Sequence, residues 1–325
     1  KPIETYNKER SRFFSEYGFQ SFPEFESVKR YAPCEEDWDI YSEVMMSHQR
    51  GGMHANQLIE TYLLNEYRTP KNFEAFLYMN HVLQGDAIKT AIEAHRRDMP
   101  YCMGTLFWQH NDCWPVASWA SRDYYGRWKA QHYFARKAYR DILVSPITDE
   151  DGVLLNIQVV SDRLKSCNGT LQVEVMKLTG EKVSSFKRNI KIDANSSQTV
   201  FSVPLGEALK NTPKEDVFVH AVLLTDKGTN SYANNYFLVK QKEVNYPKAA
   251  ITSSIEPIEG GFELTLNSDN FARAVFITIG DADSSFSDNY FDILPGGSVK
   301  VNVYTNLPQA AFEKQLKVIS LSDEY

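Results

Sequence analysis

The spacing of apolar residues changes near residue 145, and this change limits the folds that the chain can adopt. Before it, apolar side chains recur every three or four residues over long stretches, a spacing typical of helices. After it, short segments alternate between apolar and polar residues, with turn residues between them, as strands do. All five tryptophans also precede residue 130. The sequence therefore predicts a mixed helical part followed by an all-β part.

Helical spacing in the first part occurs in four stretches, residues 35–50, 55–67, 72–98 and 123–143. Two aromatic-rich runs have the length of strands, "SRFFSEYGF" (11–19) and "YCMGTLFWQ" (101–109). The order strand, helices, strand, helix is typical of a parallel sheet or a (β/α) barrel. Because a closed barrel spans about 250 residues and an open parallel sheet also needs more than two strands, we expect residues 1–145 to be an incomplete domain. The earlier strands would then lie in a missing N-terminal portion.

The second part begins at "VSPITDEDG" (144–152), whose Pro, Asp and Gly residues predict a boundary between two units. Several strand-length segments follow up to residue 243, and a similar series follows from residue 244 onwards. Short strands at this spacing are typical of antiparallel β-sandwiches. The predicted domains are therefore residues 1–145, 146–243 and 244–325, the last two being sandwiches.

The composition argues against several classes of partner. The formal net charge is −7, the pI is near 5.6, and no block of Lys and Arg offsets this, so we expect no nucleic-acid partner. No run of about 18 apolar residues is present, so we expect no membrane insertion. The four cysteines lack C-x-x-C spacing and are interpreted as reduced structural thiols: Cys34, Cys102, Cys113 and Cys167.

Cofactor motifs are also missing from the sequence. His48 and His54 are six residues apart and no H-E-x-x-H occurs, so the histidines do not predict a metal site. There is no G-x-S-x-G, Walker or dinucleotide-binding fingerprint. We therefore expect neither a metal nor an organic cofactor.

A carboxylate and an indole lie near the ends of the two predicted strands. Glu16 is in "FFSEYGFQSFP" (13–23), and Trp108 is in "LFWQHNDCWP" (106–115). Barrel enzymes bind ligands where strands give way to loops, and sugars offer hydroxyls to carboxylates and C–H faces to aromatic rings. Taken singly, such a glutamate is more often an edge charge and such a tryptophan a core residue, but the pair favours carbohydrate chemistry. Strand alternation predicts Phe14, Glu16 and Gly18 on one face.

These motifs carry a family resemblance. "FFSEYGFQSFP", followed about 90 residues later by "GTLFWQHNDCWPVASWASRDYYGRWKAQHYFARKAY", closely resembles the β-mannosidases of glycoside hydrolase family 2. "FSDNYFDILPGG" (286–297) resembles their C-terminal immunoglobulin-like domain. The resemblance covers essentially the whole chain. It implies the C-terminal part of a TIM barrel followed by two all-β immunoglobulin-like sandwiches, 146–243 and 244–325.

The resemblance assigns Glu16, in the S-E-[FY]-G position, as the catalytic nucleophile, and Trp108 as part of the subsite for the non-reducing mannose. The family retains anomeric configuration by using two carboxylates about 5 to 5.5 Å apart. Its acid/base glutamate follows an asparagine on a strand well upstream of the nucleophile. Nearby glutamates do not match that position: Glu24, Glu26, Glu35 and Glu36. We therefore expect the acid/base residue outside this chain, and the chain alone to be inactive.

The implied function is that of a retaining exo-β-mannosidase, which removes terminal non-reducing β-D-mannose from mannose-containing oligosaccharides or glycans through a covalent glycosyl-enzyme. One alternative is another family 2 exo-glycosidase, such as a β-galactosidase, β-glucuronidase or exo-glucosaminidase. Another is a non-catalytic carbohydrate-binding or scaffolding protein. The resemblance also implies an extracytoplasmic location, periplasmic or secreted in bacteria and lysosomal in eukaryotes.

Overall fold

The structure is a computed structural model that describes residues 2–325, apart from the side chain of Lys227. Its helices are α1 (Phe25–Val28), α2 (Glu43–Ser47), α3 (Ala55–Glu66), α4 (Phe73–Arg97), α5 (Ala130–Ala138), α6 (Leu205–Leu209) and α7 (Gln309–Gln315). Its strands up to residue 236 are β1 (Phe14–Tyr17), β2 (Thr105–Phe107), β3 (Ile142–Thr148), β4 (Leu154–Ser161), β5 (Cys167–Lys177), β6 (Lys182–Ile192), β7 (Ser196–Pro204), β8 (Val217–Thr225) and β9 (Asn230–Tyr236). The later strands are β10 (Ile251–Ile258), β11 (Gly261–Ser268), β12 (Ala272–Thr278), β13 (Ser285–Phe286), β14 (Phe291–Ile293), β15 (Ser298–Tyr304) and β16 (Lys317–Ile319).

The first 140 residues follow the predicted order of strand, helices, strand and helix. β1 and β2 form a parallel pair in which Phe14 lies opposite Thr105 and Tyr17 lies opposite Phe107. Three steps along β1 therefore match two along β2, so the register shifts within the pair, as at a β-bulge. α3 and α4 confirm the helices predicted at 55–67 and 72–98, because both segments keep their apolar spacing without an internal cap or turn.

The single helix predicted over residues 35–50 is wrong. The segment contains a 3-10 turn at Glu35–Asp37 and then the five-residue α2. The backbone N–H of Tyr41 donates to Asp39 Oδ1 (2.8 Å), and that of Met45 donates to Ser42 Oγ (3.2 Å). These side chains replace helical backbone partners, so they end one turn and begin another.

The helix predicted over 123–143 is shorter, because its first residues form a tight turn. Gly126 has φ +91°, a conformation that favours glycine, and its N–H donates to the Asp123 carbonyl (3.0 Å). The last residues join β3, which the sequence did not predict. β3 is an edge strand, a position that tolerates its Pro146.

The contacts between residues divide the chain into two compact units. The first unit contains the residues up to Tyr17, Ile88–Phe107 and Ala135–Asn245. Its main part is a sandwich of two antiparallel sheets, β3-β4-β7 and β6-β5-β8-β9. Alternate residues of β8 point into the core, with Val219, Ala221 and Leu223 fully buried, as the alternating sequence predicted.

The second unit contains Gly18–Ala87, Trp108–Phe134 and Tyr246–Tyr325. It includes a second pair of sheets, β10-β11-β15-β13 and β14-β12-β16. Leu264 of β11 faces Val301 of β15, and both are fully buried in the core. The short helices of this unit pack around a separate apolar cluster: Phe22, Val28, Met45, Ile59 and Leu77.

A buried ion-pair network links α4 to the second pair of sheets within this unit. Arg273 on β12 is 7% exposed, and its guanidinium bonds to Asp86 Oδ1 at 2.6 Å and to Asp292 Oδ1 at 2.8 Å. Asp292 Oδ1 also accepts from the backbone N–H of Ala274 at 3.0 Å. A complete network of this kind has little effect on the free energy of unfolding, but removing one member leaves an uncompensated buried charge.

Replacing Arg273 therefore tests how strongly the network holds the unit together. We expect Arg273→Met to lower the free energy of unfolding by about 3–5 kcal/mol, because Asp86 and Asp292 remain buried without a cation. The control is Lys300→Met, which removes an exposed ion pair with Glu263 and should cost less than about 1 kcal/mol. Chemical denaturation of the 325-residue chain measures both values. Equal effects of the two substitutions would contradict the assignment.

Candidate active site

Both predicted site residues lie at the carboxyl ends of their strands. Glu16 is the third of the four residues of β1, and its side chain is exposed. Trp108 is the first residue after β2, and it is 43% exposed. Neither residue is part of an apolar core of the described residues.

The side chains on either side of Glu16 pack on a histidine of α4. The ring of Phe14 stacks on His95 with 3.5 Å between centroids, and the ring of Tyr17 meets His95 edge-on at 4.8 Å. Because Phe14 and Tyr17 contact the same ring, the strict alternation predicted for Phe14, Glu16 and Gly18 does not hold. The register shift within β1 accounts for this difference.

A chain of hydrogen bonds fixes the residue after Glu16. Thr105 Oγ1 donates to Tyr17 Oη at 2.9 Å, Tyr17 Oη lies 3.2 Å from Tyr139 Oη, and Tyr139 donates to the Thr105 carbonyl at 2.9 Å. His95 Nδ1 lies 2.8 Å from Thr105 Oγ1. Since the Thr105 proton points to Tyr17, His95 must donate from Nδ1. Each hydroxyl in the chain therefore both donates and accepts.

Burial keeps this network neutral. Burial lowers the pKa of His95 to about 4, and it raises the pKa of Tyr17 far above its usual value. The neutral imidazole carries its one proton on Nδ1, and Nε2 is buried without a partner among residues 2–325. The network thus holds β1 rigidly through neutral side chains.

In the second unit, the backbone of Trp108 comes very close to Gly18. A Cβ on Gly18 would lie 2.5 Å from the Trp108 carbonyl oxygen and 2.9 Å from Trp119 Cδ1, so only glycine fits there. The peptide bond between Trp108 and Gln109 is cis. The group that restricts position 18 to glycine is therefore the backbone of Trp108.

The segment after Trp108 folds back on itself. The N–H of Gln109 donates to the Trp119 carbonyl (3.1 Å), and that of Ser121 donates to the Gln109 carbonyl (2.9 Å). Asp112 is buried within this segment and accepts from Ser118 Oγ at 2.6 Å. Burial raises the pKa of Asp112. This carboxyl group therefore has a structural role in shaping the loop.

A buried lysine secures the segment that follows Gly18. Lys129 is fully buried, and its Nζ donates to the carbonyl and to the Oγ of Ser21, both at 3.1 Å. Burial lowers the pKa of Lys129 to about 8, although Asp112 and Asp123 oppose the shift. Ser21 also pairs through its backbone with Ser118, so the loops that follow the two strands are joined.

Sequence reasoning missed His95 and Lys129 as supporting residues. His95 lies in the last turn of α4, and its position in the sequence gives no sign of its contact with β1. Lys129 lies between Trp128 and Ala130, just before α5, whose sequence mixes apolar with polar and charged residues. Because lysine is rarely fully buried, this pattern does not predict a buried cation.

Three further properties of the described residues are relevant to the function. Within residues 2–325, no group of three His, Cys, Asp or Glu side chains is arranged to hold a metal ion. All four cysteines are free. None of the helices in the described part of the chain combines the length and apolar character needed to cross a membrane.

Two family profiles match the chain. The Ig_mannosidase profile, described as an Ig-fold domain, matches residues 246–324. A second profile, described as a mannosidase Ig/CBM-like domain, matches residues 154–243. These ranges contain the strands of the two sandwiches described above, apart from β3.

Curated relatives extend the similarity to the rest of the chain. The β-mannosidase of Capra hircus is 32% identical over 97% of this chain, and that of Mus musculus is 30% identical over the same share. The chain spans 38% of the length of each of these relatives. The similarity therefore includes the segments that carry Glu16 and Trp108, in addition to the sandwiches.

Two solved structures are similar to this chain over nearly its whole length. The β-D-mannosidase of Dictyoglomus thermophilum matches 98% of this chain with a TM-score of 0.87 and 26% identity, and the chain covers 38% of it. An exo-chitosanase of Amycolatopsis orientalis matches 99% of the chain with a TM-score of 0.75 at 16% identity, which shows a shared fold, and the chain covers 44% of it. The chain therefore belongs to the β-mannosidases of glycoside hydrolase family 2, of which it forms a C-terminal portion.

Proposed function

We propose that the chain is part of a retaining exo-β-mannosidase in which Glu16 is the nucleophile and Trp108 contacts the terminal mannose. The observation that carries this proposal is the exposed carboxylate of Glu16 at the end of β1, on a strand fixed by the His95 network. A nucleophile needs accessibility to the sugar and a rigid support, and Glu16 combines the two. The names of the relatives support mannose as the sugar.

In the proposed reaction, a Glu16 oxygen attacks the anomeric carbon of a terminal β-mannoside. The bond from that carbon to the leaving oxygen breaks while a second carboxylic acid protonates the leaving group. Water, deprotonated by the same second carboxylate, then attacks the glycosyl-enzyme and releases mannose with its configuration retained. A fixed β1 contributes by holding the attacking oxygen in line with the anomeric carbon.

The second carboxylate is part of the same proposal. We place it in a barrel portion outside these 325 residues, for which β1 and β2 provide the last two strands. The proposed domains are then 1–145 as barrel, with 146–243 and 244–325 as the two immunoglobulin-like sandwiches. The proposed substrates are mannose-containing oligosaccharides or glycans, and the proposed location is extracytoplasmic.

Replacing Glu16 tests the assignment of the nucleophile. In an enzyme that carries this chain together with the barrel portion, we expect Glu16→Ala to reduce kcat on an aryl β-mannoside by about 10⁴-fold or more, because no covalent intermediate forms. Glu26→Ala is the matched control, since Glu26 pairs with Lys29 at 2.8 Å and has no proposed catalytic role. It should leave kcat nearly unchanged. Comparable losses in both variants would refute the assignment.

The sugar is tested with the same enzyme. Aryl β-mannoside should be cleaved with a much higher kcat/KM than aryl β-galactoside or β-glucuronide. A preference for either of the other two glycosides would leave the assignment of Glu16 as nucleophile intact, but it would show that the sugar is not mannose. No turnover of any of the three would favour a binding or scaffolding role.

Trp108→Ala tests the proposed sugar contact. The indole is 43% exposed after β2, so its loss should remove stacking on the mannose ring and lower kcat/KM by an amount equivalent to about 1–3 kcal/mol. Trp114→Ala is the control, since Trp114 is 37% exposed and has no proposed substrate contact. Steady-state kinetics with aryl β-mannoside measures both. An unchanged kcat/KM in Trp108→Ala would leave this residue with a structural role alone.

A further inference from the structure

A cavity of about 310 Å³ lies entirely within the second unit. It is formed by the turn that precedes α5, by Glu24 before α1, and by residues of β12, β13 and the loop between them. Its volume is at the small end of the range of about 300–1,000 Å³ that is typical of small-molecule sites. A ligand of one or two small rings therefore matches its size.

Aromatic side chains line part of this cavity. Trp128 is 37% exposed although His132 lies against it, with 4.2 Å between ring centroids. Tyr125 and Phe286, both half-buried, also line the cavity. Trp128 is held in place by backbone pairing with Arg122 across the turn at Gly126. The cavity therefore presents a fixed, partly exposed indole, a surface on which the C–H face of a ring can pack.

Glu24 also lines the cavity and provides a polar group. Its Oε1 lies 3.5 Å from Tyr290 Oη, which in turn lies 3.0 Å from His81 Nδ1. His81 Nε2 lies 2.7 Å from the Phe22 carbonyl and must donate to it. Burial lowers the pKa of His81 to about 3, so the ring is neutral and Nδ1 is an acceptor for the Tyr290 hydroxyl. The single proton of Tyr290 is thus directed to His81, the nearer partner.

In this arrangement the carboxyl group of Glu24 has, among the described residues, only two long contacts, from Oε1 to Tyr290 Oη at 3.5 Å and from Oε2 to Arg127 Nε at 3.9 Å. Burial, reinforced by Asp123, raises the pKa of Glu24 to about 8, although Arg127 opposes the shift. Near neutral pH the group is therefore mostly a carboxylic acid, with one O–H donor and free acceptor positions. A neutral donor and acceptor pair suits a hydroxyl group better than an ion.

The charged residues of the cavity balance one another. Arg127 donates to Asp281 Oδ1 at 2.6 Å, an oxygen that also accepts from Arg30, and Arg127 Nε lies 3.9 Å from Glu24 Oε2, so the guanidinium already has carboxylate partners. Arg122 and Asp283 both line the cavity with opposite charges. An anion would face Asp283 and a cation would face Arg122, whereas a neutral ligand meets no uncompensated repulsion.

We propose that this cavity binds one neutral pyranose ring, which packs its C–H face on Trp128 and hydrogen-bonds Glu24 through its hydroxyls. The site would hold a sugar unit of a glycan independently of the reaction proposed for Glu16. This function differs from that of the candidate active site, and no residue is shared between the two.

Fluorine NMR of the 325-residue chain with 5-fluorotryptophan tests the proposal directly. The five tryptophan resonances are assigned by single Trp→Phe substitutions, and D-mannose, D-glucose or sodium D-glucuronate is then added in the millimolar range. We expect D-mannose or D-glucose to shift the Trp128 resonance in a saturable manner, and glucuronate to bind more weakly. A Trp128 resonance that stays unchanged with both neutral sugars overturns the proposal, as does stronger binding of glucuronate.

Variants then separate this cavity from the candidate active site. Trp128→Ala should weaken binding of the neutral sugar about tenfold or more, whereas Trp114→Ala, equally exposed at 37%, should leave it unchanged. Glu24→Gln keeps a neutral donor and acceptor and should retain binding within about threefold, while Glu24→Leu should weaken it about tenfold. Saturation-transfer NMR measures each value. Binding that is lost in Trp108→Ala but kept in Trp128→Ala would place the sugar at the candidate active site and contradict the inference.

Discussion

The parallel pairing of β1 with β2 is the constraint on which the candidate site depends. Tyr17 lies opposite Phe107, so the residues next to Glu16 are held by backbone pairing on one side. A pair of parallel strands is weak when isolated, because parallel sheets are normally covered on both faces. The hydrogen-bonded chain from His95 through Thr105 and Tyr17 to Tyr139 adds side-chain support, and it does so without adding charge.

Buried polar groups in the second unit follow a common rule. Lys129 bonds to Ser21, and Arg273 is bound by two carboxylates. Each buried cation has an oxygen partner, as the cost of desolvation requires. Glu24 differs, because burial keeps its carboxyl group neutral instead of pairing it fully. This difference makes Glu24 suited to recognise an added ligand, which a saturated ion pair would not do.

Much of the fold follows from the sequence, because apolar periodicity reports burial. The alternating residues of β8 and β11 and the long helical spacing of α4 predicted those elements closely. Apolar spacing wrongly predicted a single helix at 35–50, because the side chains of Asp39 and Ser42 bond to the backbone there and change its direction. Apolar spacing also did not predict β3, because a proline in an edge strand cannot be distinguished by sequence from a proline in a linker.

The candidate site was predictable to a smaller extent. Glu16 and Trp108 were predicted from their motifs and the family resemblance, and the structure places Glu16 near the end of β1 and Trp108 just after β2. The supporting residues His95 and Lys129 were not found, because their roles depend on contacts between segments far apart in the sequence. The alternation expected around Glu16 failed for a related reason, since a register shift is a property of two strands together.

The central claim is that Glu16 attacks the sugar, and covalent trapping tests it most directly. An activated 2-deoxy-2-fluoro-β-mannoside slows hydrolysis of the glycosyl-enzyme, because the fluorine destabilises the oxocarbenium-like transition state. After reaction with an enzyme that carries this chain and the barrel portion, peptide mass spectrometry should locate one fluoromannosyl group on Glu16. A label on Glu24 or Glu26, or turnover without any covalent adduct, would contradict the account.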